Sequence, residues 1–224
     1  MRLGLFNGTD PGITWGARVI IIGITGGIAS GKSTVSEMLS AKGAAVIDAD
    51  RIGHELFRPN TDAWREVVAA FGRGILCNDD EIDRARLAEV VFADRAALNR
   101  LNSIMHPRIR RVVESKIEEF RAQGFAVVVV EAALLIEAGW TGLVDQVWVI
   151  LAPESDAVHR LCSRKDFTEE QAAARIRSQM SPAERASRAD VVLENDSSVD
   201  ALAERVERLW RSLPPSKHDQ GSCL

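Results

Sequence analysis

Eight consecutive residues, Gly26-Gly27-Ile28-Ala29-Ser30-Gly31-Lys32-Ser33, follow the spacing G-x-x-x-x-G-K-[ST] of a phosphate-binding loop. Glycines let the backbone curl so that successive N–H groups point inward at phosphate oxygens, and the positive end of a helix opening at Ser33 adds to the same field. Lys32 is expected to reach the β- and γ-phosphates of ATP, the Ser33 hydroxyl to ligate Mg²⁺, and Thr34 to donate near the α-phosphate. ATP and Mg²⁺ are therefore the expected cofactors. Motors, switches and kinases share such a loop, so it defines a nucleotide-phosphate site and leaves the reaction open.

Carboxylates come next. In Ala45-Val46-Ile47-Asp48-Ala49-Asp50 a two-residue period puts Asp48 and Asp50 on one face at the end of a short strand, expected beside the strand that feeds the loop. A carboxylate there can accept the proton of an attacking hydroxyl or hold a magnesium water. Either aspartate can instead cap the helix starting near Arg51, and for Asp48 the two readings are balanced. Glu131 ends another apolar run, where it can hold a magnesium water or a substrate hydroxyl, or be merely solvated. Asp50-Arg51-Ile52-Gly53 also matches the D-x-x-G of GTP-driven switches, but the chain has no N-K-x-D to read guanine.

Cations to meet the transferring group are expected at Arg160 and Arg164, four residues apart on one helical face. An ordinary solvated Arg-rich face fits them equally, and Arg185 and Arg188 are weaker candidates of the same kind. His106 binds substrate or packs at a helix junction. Arg108, Arg110 and Arg111 suit a pyrophosphate or a solvated face.

To position these groups the chain must bring several strand ends together. Continuous apolar, β-branched runs at 19–24, 127–130, 147–151 and 191–193, with a shorter one at 45–47, read as strands buried on both faces. Helical patterns separate them, which predicts α/β architecture: a parallel five-stranded sheet flanked by helices. Core segments are expected at about 19–57, 125–152 and 189–213 of a single domain covering 19–213. Residues 58–124 lack strand signals but carry helical spacing at Leu98, Leu101, Met105, Ile109, Val112, Val113, Ile117 and Phe120, predicting an inserted helical subdomain for substrate. Pro107 is expected to end one helix near His106 and open the next. A second, charged helical insertion at 153–188 suits a lid, and 199–209 a closing amphipathic helix. Residues 1–18 and 214–224 lack periodicity and read as a disordered extension and a flexible tail, with the native start expected near Val19.

Composition closes off other classes. At 224 residues, 46% hydrophobic and 27% charged, the chain is an ordinary globular length and mix, and no apolar run approaches the ~20 residues that span a bilayer. A net charge of -4 argues against a general nucleic-acid surface. Cys77, Cys162 and Cys223 are odd in number and widely spaced, which fits reduced thiols in the cytoplasm. No nucleic-acid or membrane partner is expected, and a monomer is the expected state.

Taken with Ile24-Thr25 before the loop and Val46-Ile47-Asp48-Ala49-Asp50 after it, three further stretches carry a family resemblance. They are Leu101-Asn102-Ser103-Ile104-Met105-His106-Pro107, Glu131-Ala132-Ala133-Leu134-Leu135-Ile136-Glu137 and Ala189-Asp190-Val191-Val192-Leu193-Glu194-Asn195. In order and spacing the sequence resembles the dephospho-coenzyme A kinase family over essentially 19–213. The resemblance implies a core, a helical substrate domain and a lid, with the small-molecule acceptor dephospho-CoA phosphorylated at its ribose 3′-hydroxyl. It implies Asp50 as general base, strengthens Arg160 and Arg164 as lid cations and narrows the odds for His106 as a substrate contact, beside Asp48, Asp50 and Glu131 as the other candidate substrate contacts. Ala133, Ile136 and Ser197 depart from the family's usual proline, phenylalanine and glycine. Another nucleoside or nucleotide kinase, or a nucleotide-dependent switch, is the alternative.

Overall fold

Each of the five apolar runs forms a strand in the computed structural model, which describes residues 19–164 and 167–213, the side chain of Arg164 excepted. The expected N-terminal extension and C-terminal tail lie outside the described residues. The strands are β1 (Ile20–Gly26), β2 (Ala45–Asp48), β3 (Val127–Glu131), β4 (Gln146–Leu151) and β5 (Val191–Glu194), all parallel in the order β2-β3-β1-β4-β5. Period-two alternation inside these unbroken runs feeds two cores. Ile21, Val128, Val130, Val147 and Val149 pack on one face, and Ile20, Ile22, Ile24, Val127, Val129, Trp148 and Ile150 on the other. Each such side chain removed from water contributes about 1.5–3 kcal/mol before entropy, which is why both faces must be covered.

Helices supply the cover. The second face receives Val35 and Leu39 of α1 (Lys32–Ser40), together with Leu202, Val206 and Trp210 of α9 (Val199–Arg211). The first receives Ile52 of α2 (Ala49–Leu56) and Val113 and Ile117 of α5 (Arg95–Ala122). Between them α3 (Asp62–Phe71), α4 (Arg84–Ala93) and the first half of α5 enclose a third apolar cluster around Val67, Leu87, Ile104 and Met105. After β4 come α6 (Glu154–Arg164), α7 (Glu169–Arg177) and the short α8 (Pro182–Ala186).

Two expectations are corrected here. First, β2 is not next to the loop-bearing β1: β3 lies between them, pairing Ile24 on one side and Asp48 on the other with Glu131. Glu131 therefore occupies the middle position that the sequence reading gave to the aspartates. Second, α5 runs unbroken through Pro107. The proline removes one N–H, yet buried side chains on both sides of it, Ile104 and Met105 before and Val113 and Ile117 after, anchor the helix to two different cores. The Arg108 guanidinium also donates to the Ile104 carbonyl at 2.6 Å, one turn before it in the same helix.

The far ends of the strands are closed by two aspartates. Asp145 Oδ2 accepts from the Ile21 amide and Asp190 Oδ2 from the Val147 amide, each at 2.8 Å. Asp190, one of the residues behind the family resemblance, thus has an architectural task away from the phosphate loop.

Candidate active site

The loop leaves β1 at Gly26, where a Cβ would stand 2.4 Å from the Ile150 carbonyl oxygen, so no side chain fits between the strands. At its other end Gly31 adopts φ +101°, a left-handed conformation, and a Cβ there would lie 2.3 Å from Asn195 Nδ2. Asn195 is buried and donates from Nδ2 to the Ser30 carbonyl at 2.8 Å, bracing the loop from the end of β5. Ala29 also takes a positive φ of 57°, a conformation that costs a non-glycine residue energy and keeps the loop curled. No side chain caps α1, so its first amides remain available to an anion.

Lys32 lies along this loop, its Nζ donating to the Gly26 and Gly27 carbonyls at 3.2 and 3.1 Å. The Ser33 hydroxyl donates to Glu131 Oε1 at 2.8 Å, joining loop to β3. Thr34 and the loop residues from Ala29 onward line a cavity of about 310 Å³ together with Arg160 and Asn195. From α6, Arg160 donates to the Ala29 carbonyl at 3.3 Å, so the cation expected from the lid does reach the loop. Arg164 ends α6, and its side chain lies outside the described residues.

The aspartates separate by role. Asp48 is the last residue of β2 and the N-cap of α2, accepting the Arg51 amide at 2.8 Å. Because the cap ends the strand, Asp50 lies in the first turn of the helix, and the shared strand face expected for the pair does not exist. The same helix absorbs Ile52 and Gly53, so the D-x-x-G match is an ordinary helical turn. Asp50 accepts the Ala133 amide at 3.3 Å through Oδ2 and faces Lys32. Burial pushes the Asp50 carboxyl above its usual range, while Lys32 and the Ala133 amide pull it back and Asp48 and Glu131 push it further up. Burial likewise lowers the Lys32 ammonium, against the pull of Asp50 and Glu131 and with the help of Arg185. Asp50, Lys32 and Glu131 thus form one charged cluster at the carboxyl ends of β1, β2 and β3, where open α/β sheets bind ligands.

His106 does not join the phosphate cluster. Its ring meets Trp140 edge-on, with centroids 5.9 Å apart, and burial lowers its pKa. Arg108 pairs with Glu66 and Arg110 with Glu114, so both have carboxylate partners on the helical side. Three contacts are not visible in the sequence, although Arg185 is a weaker candidate there and Glu137 and Asn195 end two of the stretches that carry the resemblance. Gln179 Oε1 accepts the Ile28 amide of the loop at 2.8 Å, Arg185 is buried against Glu137, and Asn195 braces Ser30. All three join residues dozens of positions apart, which local spacing does not reveal.

Comparison with known proteins agrees with this geometry. The family model for dephospho-CoA kinase matches residues 20–201, which contain all five strands and every site residue named above. The chain belongs to the dephospho-CoA kinase family. A Geobacter sulfurreducens dephospho-CoA kinase is 47% identical over 190 residues, 85% of this chain and 96% of the relative. A Carboxydothermus hydrogenoformans dephospho-CoA kinase is 45% identical over 186 residues, 83% and 90% of the two chains. The solved structure of the Campylobacter jejuni dephospho-CoA kinase superposes with a TM-score of 0.63 at 28% identity, covering 85% of this chain and 95% of that one. Family membership makes the protein a nucleotide-binding phosphotransferase with the P-loop kinase fold and removes the switch reading.

Proposed function

We propose that the chain transfers the γ-phosphoryl group of ATP to the ribose 3′-hydroxyl of dephospho-CoA, giving coenzyme A and ADP. The observation that carries this reading is the Asp50 carboxylate, which accepts the Ala133 amide at 3.3 Å and faces Lys32 at the mouth of the phosphate loop. Asp50 takes the 3′-hydroxyl proton as the new O–P bond forms and the bond to the β–γ bridging oxygen breaks. Its raised basicity, a consequence of partial desolvation beside the loop, suits that step. Lys32 neutralises charge on the β- and γ-phosphates, and the loop amides hold them in place. Asp48 serves the same step by starting α2 so that Asp50 is delivered toward the loop. His106, edge-on to Trp140, shapes the wall of the acceptor side.

Magnesium fits the donor set. Ser33 Oγ and Glu131 Oε1, 2.8 Å apart, are hard oxygen donors of the type the ion prefers. Among the described residues no group of three or more His, Cys, Asp or Glu side chains forms a cation cage, so the phosphates would complete the coordination. When bound, the ion would offset charge on the β- and γ-oxygens. Residues 58–124 serve as the acceptor-binding subdomain and 153–188 as the lid in this reading, with Arg160 and Arg164 meeting the phosphates as it closes. In this reading the reaction runs in the cytoplasm, in a monomer acting on small molecules. Free Cys77 and Cys162 fit a reducing compartment, and no described helix is long and apolar enough to cross a membrane.

A coupled ADP-release assay over an acceptor panel tests the reading. Turnover is expected with dephospho-CoA and Mg·ATP, with the phosphate on the 3′-position of the product. Turnover on a nucleoside or nucleoside monophosphate and none on dephospho-CoA would overturn it.

A further inference from the structure

Arg185 is 2% exposed, an uncommon setting for a guanidinium. Its Nη2 donates to Glu137 Oε1 at 2.9 Å, while its Nε is buried with no hydrogen-bond partner among the described residues. It stands against the phosphate loop: a Cβ built on Gly27 would lie 3.6 Å from Arg185 Nη1, and both residues line a cavity of about 350 Å³. A buried donor without a partner costs stability, so an ion pair alone does not account for this placement. Nor does the neighbourhood favour it, since Arg185 adds a second positive charge close to Lys32. A buried and a half-buried cation at a phosphate loop make sense when an anion of several charges completes the site.

The partner adds a second link. Glu137 follows β3 on the segment whose Ala133 amide holds Asp50. The Arg185–Glu137 pair therefore ties the donor loop to the segment that orients the base. We propose that Arg185 is a catalytic residue that binds the transferring phosphoryl group of the donor, and that Glu137 is the positioning residue that fixes its guanidinium. This rests on the phosphotransfer reading above. Arg160 reaches the loop from α6, whereas Arg185, in α8 at the far end of the same segment, is held against the loop by its pairing with Glu137.

Arg185→Met, Arg185→Lys and the double variant Arg185→Met with Glu137→Leu distinguish this from a bracing role. Affinity for a non-hydrolysable ATP analogue and for ADP is measured by titration calorimetry, beside thermal melts and kcat. Arg185→Met should erase the preference for the triphosphate over ADP and lower kcat roughly 100-fold, the loss typical of one preorganised donor. Arg185→Lys should recover part of both, because it keeps the charge but not the planar donor set. The double variant also removes the carboxylate that Arg185→Met leaves without its partner, and should melt no lower than Arg185→Met while keeping the defects. Wild-type triphosphate preference in Arg185→Met, or wild-type kcat in the double variant, would show that the pair merely braces the fold. The titrations need no acceptor, so they stay readable even if dephospho-CoA proves not to be the substrate.

Discussion

Gly31 and Gly43 share a backbone conformation and differ in what surrounds them, which makes them a matched pair. Both sit at φ +101°, but a Cβ on Gly43 meets nothing within 4 Å, whereas one on Gly31 would press against Asn195 Nδ2 at 2.3 Å. Gly43→Ala should therefore cost only the left-handed backbone term, about 1 kcal/mol. Gly31→Ala adds the displacement of Asn195 and the loss of its 2.8 Å bond to the Ser30 carbonyl. A lost hydrogen bond that leaves a buried group unmet costs about 1–3 kcal/mol, for a total of about 2–4 kcal/mol. At about 2–4 °C per kcal/mol for a chain of this size, Gly43→Ala should melt a few degrees low and Gly31→Ala clearly lower. Calorimetric melts give the stability, and titration with an ATP analogue gives loop integrity, which only Gly31→Ala should damage. Adding Asn195→Ala to Gly31→Ala should cost less than the two single losses summed, because the contact is then relieved. Equal melts for the two glycine variants, or wild-type nucleotide affinity in Gly31→Ala, would refute the reasoning.

Lys32→Ala should lose about 3 kcal/mol or more of transition-state stabilisation, read as a fall in kcat/KM above 100-fold at unchanged fold by circular dichroism. A pH profile of kcat/KM should rise through a midpoint above the ordinary carboxylate range, because Asp50 acts only when ionised and burial raises its pKa. On the alkaline side the rate should fall at a midpoint below that of an ordinary lysine, because burial lowers Lys32 and its charge is then lost. An acid limb in the usual carboxylate range would contradict the first half. His106→Ala should lower stability by about 1 kcal/mol through the lost edge contact with Trp140, with kcat nearly unchanged in the ADP-release assay.

Where the chemistry depends on neighbouring residues, the sequence already displays it. The phosphate loop is eight adjacent positions, and strands buried on both faces leave continuous apolar runs that flank it, so both were legible. Strand order was not, because parallel pairing joins segments far apart and nothing in 45–50 records that β3 inserts beside it. The strand-end pattern misplaced Asp50 for a local reason: Asp48 caps α2, and a cap converts period two into a helical turn within one residue. Pro107 misled because its intrinsic penalty was set against no knowledge of the two cores that anchor α5. Gln179, Glu137 and Arg185 carry their meaning in contacts across the fold. As sequence Gln179 is one amide in a polar stretch, Glu137 the end of an apolar run and Arg185 one arginine among several, and none of them shows its partner.

The most direct test of the central claim is the kcat of Asp50→Asn on dephospho-CoA with saturating Mg·ATP, set beside its affinity for a non-hydrolysable ATP analogue. Removal of a general base should lower kcat by about 100- to 10,000-fold while nucleotide affinity stays near wild type. An unchanged kcat would show that Asp50 does not take the proton and that the acceptor is activated elsewhere.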